Sequence, residues 1–362
     1  MIKRLTITLL LVFSYLSASA QIATPLLDRS MKVQSSAAAG WRDNSTLGLQ
    51  AVNATGKVKM DSVEVGDVSV GGSIPAVLAA LKGEAVALEL YVSTDTTKKV
   101  DLDIPIAAGV PNQVVEIEQN LPETRLNLAY VFGEALSVGL GYRVSENKNE
   151  KKVKGTLGSI GGSPYILPSS VTVEKDKETE TGLMVSASLK LGELFYVAGG
   201  MENVDFKKSS DIASDSVDNA WSNTIVGLGM LVGKPGESRF RLEYAIIQSP
   251  ESAKAAESGK QANTHYKTDY NTMSLEALFG KVLLSYINET EKEKDKTEST
   301  LFSTQVWDEK QVTTQIGAGW MPEEGFTVSA YMFNIKNTRS YTDGSETTFE
   351  PKGWRVNVGW NF

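Results

Sequence analysis

The side chains in this sequence that could do chemistry are charged groups set at every second position. Arg239, Arg241 and Glu243 alternate with Phe240, Leu242 and Tyr244, and Arg125 and Asn127 alternate with Leu126 and Leu128. Glu89 stands between Leu88 and Leu90, Arg143 follows Tyr142, and Arg355 and Asn357 sit among Trp354, Val356 and Val358. A period of two puts the charges on one face of a strand and the apolar groups on the other. Gathered in a narrow space, the arginines would focus a positive field and bias it toward small anions. Interleaved as they are, Glu89 and Glu243 would instead neutralise them in a wall-stiffening ladder.

Chemistry of other kinds finds little to work with. Cysteine is absent and the single histidine, His265, lies in a polar segment, so neither a nucleophile–base pair on rigid elements nor a Cys/His metal spacing is present. No Walker loop or dinucleotide fingerprint occurs. Asp205, Asp211, Asp215 and Asp218 crowd one segment without the spacing of an EF-hand, and read as a solvated loop. The expectation is a protein that is not an enzyme and needs no cofactor or metal. The formal net charge of −8 also argues against nucleic acid as a partner, because phosphate binding needs clustered positive charge.

The elements that must position these residues are strands. The chain opens MIKRLTITLLLVFSYLSASA, with Lys3 and Arg4, an apolar run and Ala18-Ser19-Ala20, which reads as a signal peptide over 1–20. The run is too short to span a bilayer as a helix. From Glu84 onward about twelve period-two segments follow, joined by connections that alternate short (GE, GKPGES, GK, MPEEG) and long, polar and charged. Every second turn therefore lies on the same side. This asymmetry predicts an all-β, antiparallel transmembrane β-barrel of about 12, possibly 14, strands, with short periplasmic turns and long extracellular loops, over 84–362. Residues 21–83 are left as an N-terminal plug or periplasmic segment. Ile74, Val77, Leu78 and Leu81 follow a helical stripe and predict a short helix near 73–82. The alternative is one further hairpin from 46–51 and 58–65, raising the count to fourteen. In a twelve-strand barrel Arg355, Glu89, Arg125 and Arg143 would fall on four successive strands, with Arg239, Arg241 and Glu243 as a second inward row nearer the periplasm.

The last nine residues, WRVNVGWNF, place Trp354, Val356, Val358, Trp360 and Phe362 on one face. This resembles the final strand of Gram-negative outer-membrane proteins, and the resemblance implies an assembly signal read by the barrel-assembly machinery. It implies location in the outer membrane of a Gram-negative bacterium, with outer-membrane lipids and lipopolysaccharide as partners. The function expected is a porin-like channel for passive diffusion of small hydrophilic solutes. The alternative is a plugged transporter of hydrophobic ligands, similar in layout to the FadL class, although that class's asparagine-proline-alanine motif is not found. A third reading is a structural or surface-interaction barrel without an open pore.

Overall fold

The computed structural model describes Ala37 and residues 45–71, 76–93, 97–104, 110–133, 135–160, 163–210, 217–233, 238–254, 263–265, 267–299 and 304–362. The expected signal peptide, and Asp211 and Asp215, lie outside the described residues. Nineteen strands are present among the described residues: β1 (Thr46–Met60), β2 (Val63–Gly71), β3 (Ala76–Lys82), β4 (Val86–Ser93), β5 (Thr97–Ile104), β6 (Gln113–Asn120) and β7 (Glu123–Phe132) come first. Then follow β8 (Leu136–Ile160), β9 (Ser163–Leu191), β10 (Phe195–Ser210), β11 (Val217–Val232) and β12 (Arg239–Ser249). A small hairpin of β13 (Ser252–Lys254) and β14 (Asn263–His265) precedes β15 (Thr268–Phe279) and β16 (Val282–Ser299). β17 (Thr304–Trp320), β18 (Gly325–Tyr341) and β19 (Glu346–Asn361) complete the set.

The barrel closes where β19 pairs antiparallel with β1, from Thr46↔Asn361 to Met60↔Thr347. Around the wall, β1 meets both β2 and β3, β4 pairs with β3 and β5 with β2, and β8 meets both β7 and β6. Thus β3, β4 and β7 build the lower wall, while β2, β5 and β6 continue it above. Counting each such stack once, the barrel has fourteen strands, one hairpin more than twelve. That hairpin is β1 and β2, whose turn residues Asp61 and Ser62 both have positive φ (48° and 69°). Two left-handed central residues match the twist of a two-residue hairpin.

The helix expected near 73–82 is instead strand β3 over Ala76–Lys82. Leu78 and Ala80 point inward and are buried, while Val77 and Leu81 are exposed on the outside. Three alanines in this segment fit either period, and pairing with β1 and β4 decides between them. The barrel therefore begins at Thr46, not at Glu84.

Outward faces carry the apolar belt: Leu47, Leu128, Val185, Leu228, Leu284 and Ile316 are all exposed there. Phe132, Phe195, Phe279, Trp320, Phe326, Trp360 and Phe362 stand at its periplasmic rim, as an aromatic girdle does. Inward faces in the lower part are largely buried and mix polar and charged side chains with small apolar clusters, such as Leu78 with Leu283. The long polar connections mostly continue as strands: β8 and β9 run on beyond Ser145 and Thr181 as a paired ladder to Ile160↔Ser163. The barrel consequently has a lower storey within the belt and an outer storey above it.

Candidate functional site in the barrel lumen

In the lower storey, inward charges are matched by opposite ones. Arg241 faces Glu276 across β12 and β15, with Nη1 3.0 Å from Oε2, and its Nε lies 3.8 Å from Glu243. The Tyr196 hydroxyl donates to Glu243, and Ser274 and Ser285 donate to Glu243 and Glu276 at 3.4 and 3.5 Å. Arg239 begins β12 at the periplasmic end on the same side. Asn357 accepts from Gln50 at 2.9 Å and donates to Ser329 at 3.0 Å, stitching the closing strands from within. Arg355 lies over the Tyr331 ring, 4.5 Å from its centroid, both fully buried.

Higher in the wall, Arg125 and Arg143 are direct cross-strand partners on β7 and β8. Like charges so placed repel, and carboxylates on both sides compensate. Glu123 takes a forked pair from Arg125, while Arg143 reaches Glu180 at 3.1 Å and Glu202 at 3.2 Å. Asn127 donates to Glu89 at 3.4 Å. The four-strand stripe drawn for a twelve-strand barrel does not form: β1 and β3 separate Arg355 on β19 from Glu89 on β4.

Glycines on neighbouring strands make room for these groups. A Cβ on Gly229 would strike the Tyr196 ring, one on Gly317 the Tyr331 ring, and one on Gly182 the Glu202 carboxylate. The bulky inward side chains thus lie flat across the wall, over positions where the sequence has no side chain.

Charges from opposite walls also converge. Arg125 on β7 and Arg355 on β19 both act on the Glu289 carboxyl of β16, which lies beside Tyr270 and Gln315. One residue from before the first strand is also inside. Ala37 is fully buried, its N–H donating to Ser186 Oγ at 2.8 Å and its carbonyl accepting from Ser137 Oγ at 2.7 Å. Ser137 and Ser186 sit on β8 and β9 in the lower storey, so Ala37 touches the lumen wall.

The outer storey has a different interior. Val58, Val65, Val68, Val100, Leu102, Ile104, Val115, Ile117, Val153 and Phe349 form one buried aliphatic cluster on β1, β2, β5, β6, β8 and β19. Beside it, the Arg339 and Glu309 side chains are almost wholly buried, with Nε 3.1 Å from the carboxylate. Asn337 and Trp307 Nε1 also donate to Glu309, at 2.7 and 3.4 Å. Lys98 turns inward at this level, and burial, with Arg339 nearby, pulls its ammonium down to about 7.

Sequence reading alone reaches Arg241, Glu243 and the Arg125–Arg143 row. It misses Glu180, Glu309 and Arg339, because they fall in segments that read as loops. The two serines holding Ala37 carry no signal a sequence could show.

No family model matches the chain, and no curated protein matches it. Solved structures do match. A FadL homologue of Pseudomonas aeruginosa aligns over 91% of this chain and 93% of its own, with a TM-score of 0.52 at 9% identity. The toluene transporter TbuX of Ralstonia pickettii aligns over 91% and 92%, with a TM-score of 0.51 at 8% identity. The toluene transporter TodX of Pseudomonas putida gives the same coverage, TM-score 0.51 and 8% identity. At such identities the likeness is one of fold, and the chain is a closed fourteen-stranded antiparallel β-barrel.

Proposed function

We propose that the barrel passes small apolar molecules rather than hydrophilic solutes. The observation that carries this reading is the aliphatic interior of the outer storey. An extension standing above the membrane, if it were the mouth of an aqueous pore, would be lined with polar groups in water. Here ten aliphatic and aromatic side chains close on one another, each no more than 8% exposed. A hydrophobic solute entering among them replaces soft aliphatic contacts, at roughly 25 cal/mol per Å² gained for its own burial. A hydrated ion entering among these ten side chains would shed its water against groups that offer it no polar atom.

Below, the charge ladder and the contact of Ala37 with both luminal serines support a narrowed lumen. The matched barrels described as toluene transporters are consistent with this reading and less so with the porin one. The test is binding of the fluorescent apolar probe N-phenylnaphthylamine to the refolded full chain, alongside KCl conductance in a planar bilayer. Micromolar probe binding, weakened about tenfold by Leu102→Asn with Ile117→Asn, is expected. Porin-scale conductance with no probe binding would overturn the proposal.

A further inference from the structure

The outer face of the wall, just above the apolar belt, carries an ordered row of cations. Lys57, Lys336, Lys310 and Lys292 each stand ten positions along the chain from an apolar side chain at the periplasmic rim, namely Leu47, Phe326, Trp320 and Val282. Lys352 stands eight positions from Trp360. Those rim residues are exposed outward, and alternation places the lysines on the same face. Ten strand residues tilted by 35–45° climb about 25 Å, the height of the hydrocarbon band. The five strands concerned, β16, β17, β18, β19 and β1, are consecutive neighbours. At the corresponding position, ten from the rim, β15, β11, β10, β9 and β8 carry Asp269, Ser222, Asp205, Thr181 and Glu146. At this level the lysines run unbroken only along these five strands; one outward position farther from the rim, Lys148, Lys207 and Lys267 stand singly by β8, β10 and β15.

Its charge is only partly cancelled from within: Glu350, ten positions from Trp360, stands directly opposite Lys57. Lys292 and Lys310 are direct cross-strand partners, an arrangement that costs stability unless an anion lies between them. Among the described residues, none of Lys292, Lys310 and Lys352 forms an ion pair. Lys336 approaches Glu350 only to 4.0 Å, and Lys59 already holds that carboxylate at 3.0 Å. Lys57, paired with Asp67 at 2.9 Å, closes the row at one end, and Asp269, opposite Lys292, bounds it at the other.

We infer that Lys292, Lys310, Lys336 and Lys352 form a docking site for the phosphate groups of anionic lipid headgroups in the outer leaflet. The ammonium groups sit where headgroups begin, on the face already committed to lipid, and their aliphatic stems extend the apolar belt upward. A phosphate bridging Lys292 and Lys310 would turn a repulsive cross-strand pair into an attractive triad. This inference rests on the barrel's standing in an outer membrane and is independent of what crosses the lumen.

The experiment uses the full chain in lipid nanodiscs, with retention of a bis-phosphorylated glucosamine lipid and of its dephosphorylated form followed by native mass spectrometry. Replacing Lys292, Lys310, Lys336 and Lys352 by Gln is expected to weaken retention of the phosphorylated lipid roughly fivefold per lysine at low salt, a hundredfold or more in all. The dephosphorylated lipid should not distinguish this variant from the parent. A control with Lys148, Lys152, Lys175 and Lys177 changed to Gln on β8 and β9 should retain parental binding. Both variants should keep apolar-probe binding, which separates this inference from the luminal proposal and from misfolding. Equal loss in both variants, or full displacement of the lipid by millimolar inorganic phosphate, would overturn it.

Discussion

Glu309→Gln tests whether the outer storey is held by a charge cluster or merely by its aliphatic neighbours. Glu309 is the carboxylate 3.1 Å from Arg339 Nε, and both side chains are almost wholly buried. Lys98 stands close enough for Arg339 to lower its affinity for a proton while Glu309 raises it. Removing the negative charge and keeping the shape leaves Arg339 without its carboxylate and takes away the group that helps Lys98 keep its proton, and breaking such a buried pair costs about 3–5 kcal/mol. Arg339→Met should cost less, about 1–3 kcal/mol, because Glu309 retains the Asn337 and Trp307 donors. Adding Lys98→Met to Glu309→Gln should recover at least about 1 kcal/mol by removing an amine that, without Glu309, must shed its proton on folding. The measurement is hydrogen exchange of the β17 and β18 amides in the refolded barrel, read by mass spectrometry against urea unfolding of the whole. The signature is a loss of protection confined to the outer storey, larger for Glu309→Gln than for Arg339→Met. Equal costs for the two single changes, with no recovery on adding Lys98→Met, would refute the reasoning.

Lys98 also sets a pH dependence. Its folded value of about 7 lies below the ordinary 10.5, so the unfolded chain binds the extra proton between those values. Stability of the outer storey should therefore rise with pH from about 7 to 10.5, by at most about 1.4 kcal/mol per unit, and lose that slope below 7. Comparing urea midpoints of the parent and Lys98→Met across this range isolates the effect, since the variant should lack the slope. Gly317→Ala should destabilise the barrel by about 1–3 kcal/mol, because the new methyl meets the Tyr331 ring. With Tyr331→Ala already present the same change should cost under about 0.5 kcal/mol, and a full cost there would mean that the glycine matters for another reason. Ala37→Cys with Ser186→Cys should form a disulfide under mild oxidation, in a chain whose described residues contain no cysteine. Electrophoretic mobility under non-reducing conditions reports it, and no crosslink would remove Ala37 from the wall.

What the sequence discloses depends on how far each signal reaches. Alternation along Leu126–Phe132 or Arg239–Tyr244 is local, so strand faces can be read directly, and Arg241 and Glu243 are placed on the inner face without a structure. The count of strands is harder. The β1–β2 hairpin contains Gly56 and Gly66 and its register slips between Val58 and Lys59, and β3 is alanine-rich, so both blur the contrast that alternation needs. Pairing across the barrel is invisible to any window. Glu309 and Arg339 are thirty positions apart in a stretch whose charge reads as solvated loop, yet the wall rises high enough to enclose them. Gly182, Gly229 and Gly317 would pass for flexibility in sequence, whereas each is the space occupied by a side chain from the next strand.

The division of one wall into β3, β4, β7 below and β2, β5, β6 above has a consequence for how such a protein can change. Gly71 to Ala76, Ser93 to Thr97 and Asn120 to Glu123 are the only seams that these three stacks need cross, and they fall at one level. Above that level the partners are each other, from β1 through β2, β5 and β6 to β8. A lineage could lengthen, shorten or reline this upper quarter of the cylinder through changes between the seams, while the lipid-facing foundation and its closing strand pair stay as they are. The membrane would then constrain one half of the wall and the packing of the outer storey the other, so the two halves of the same stack are free to evolve at different tempos.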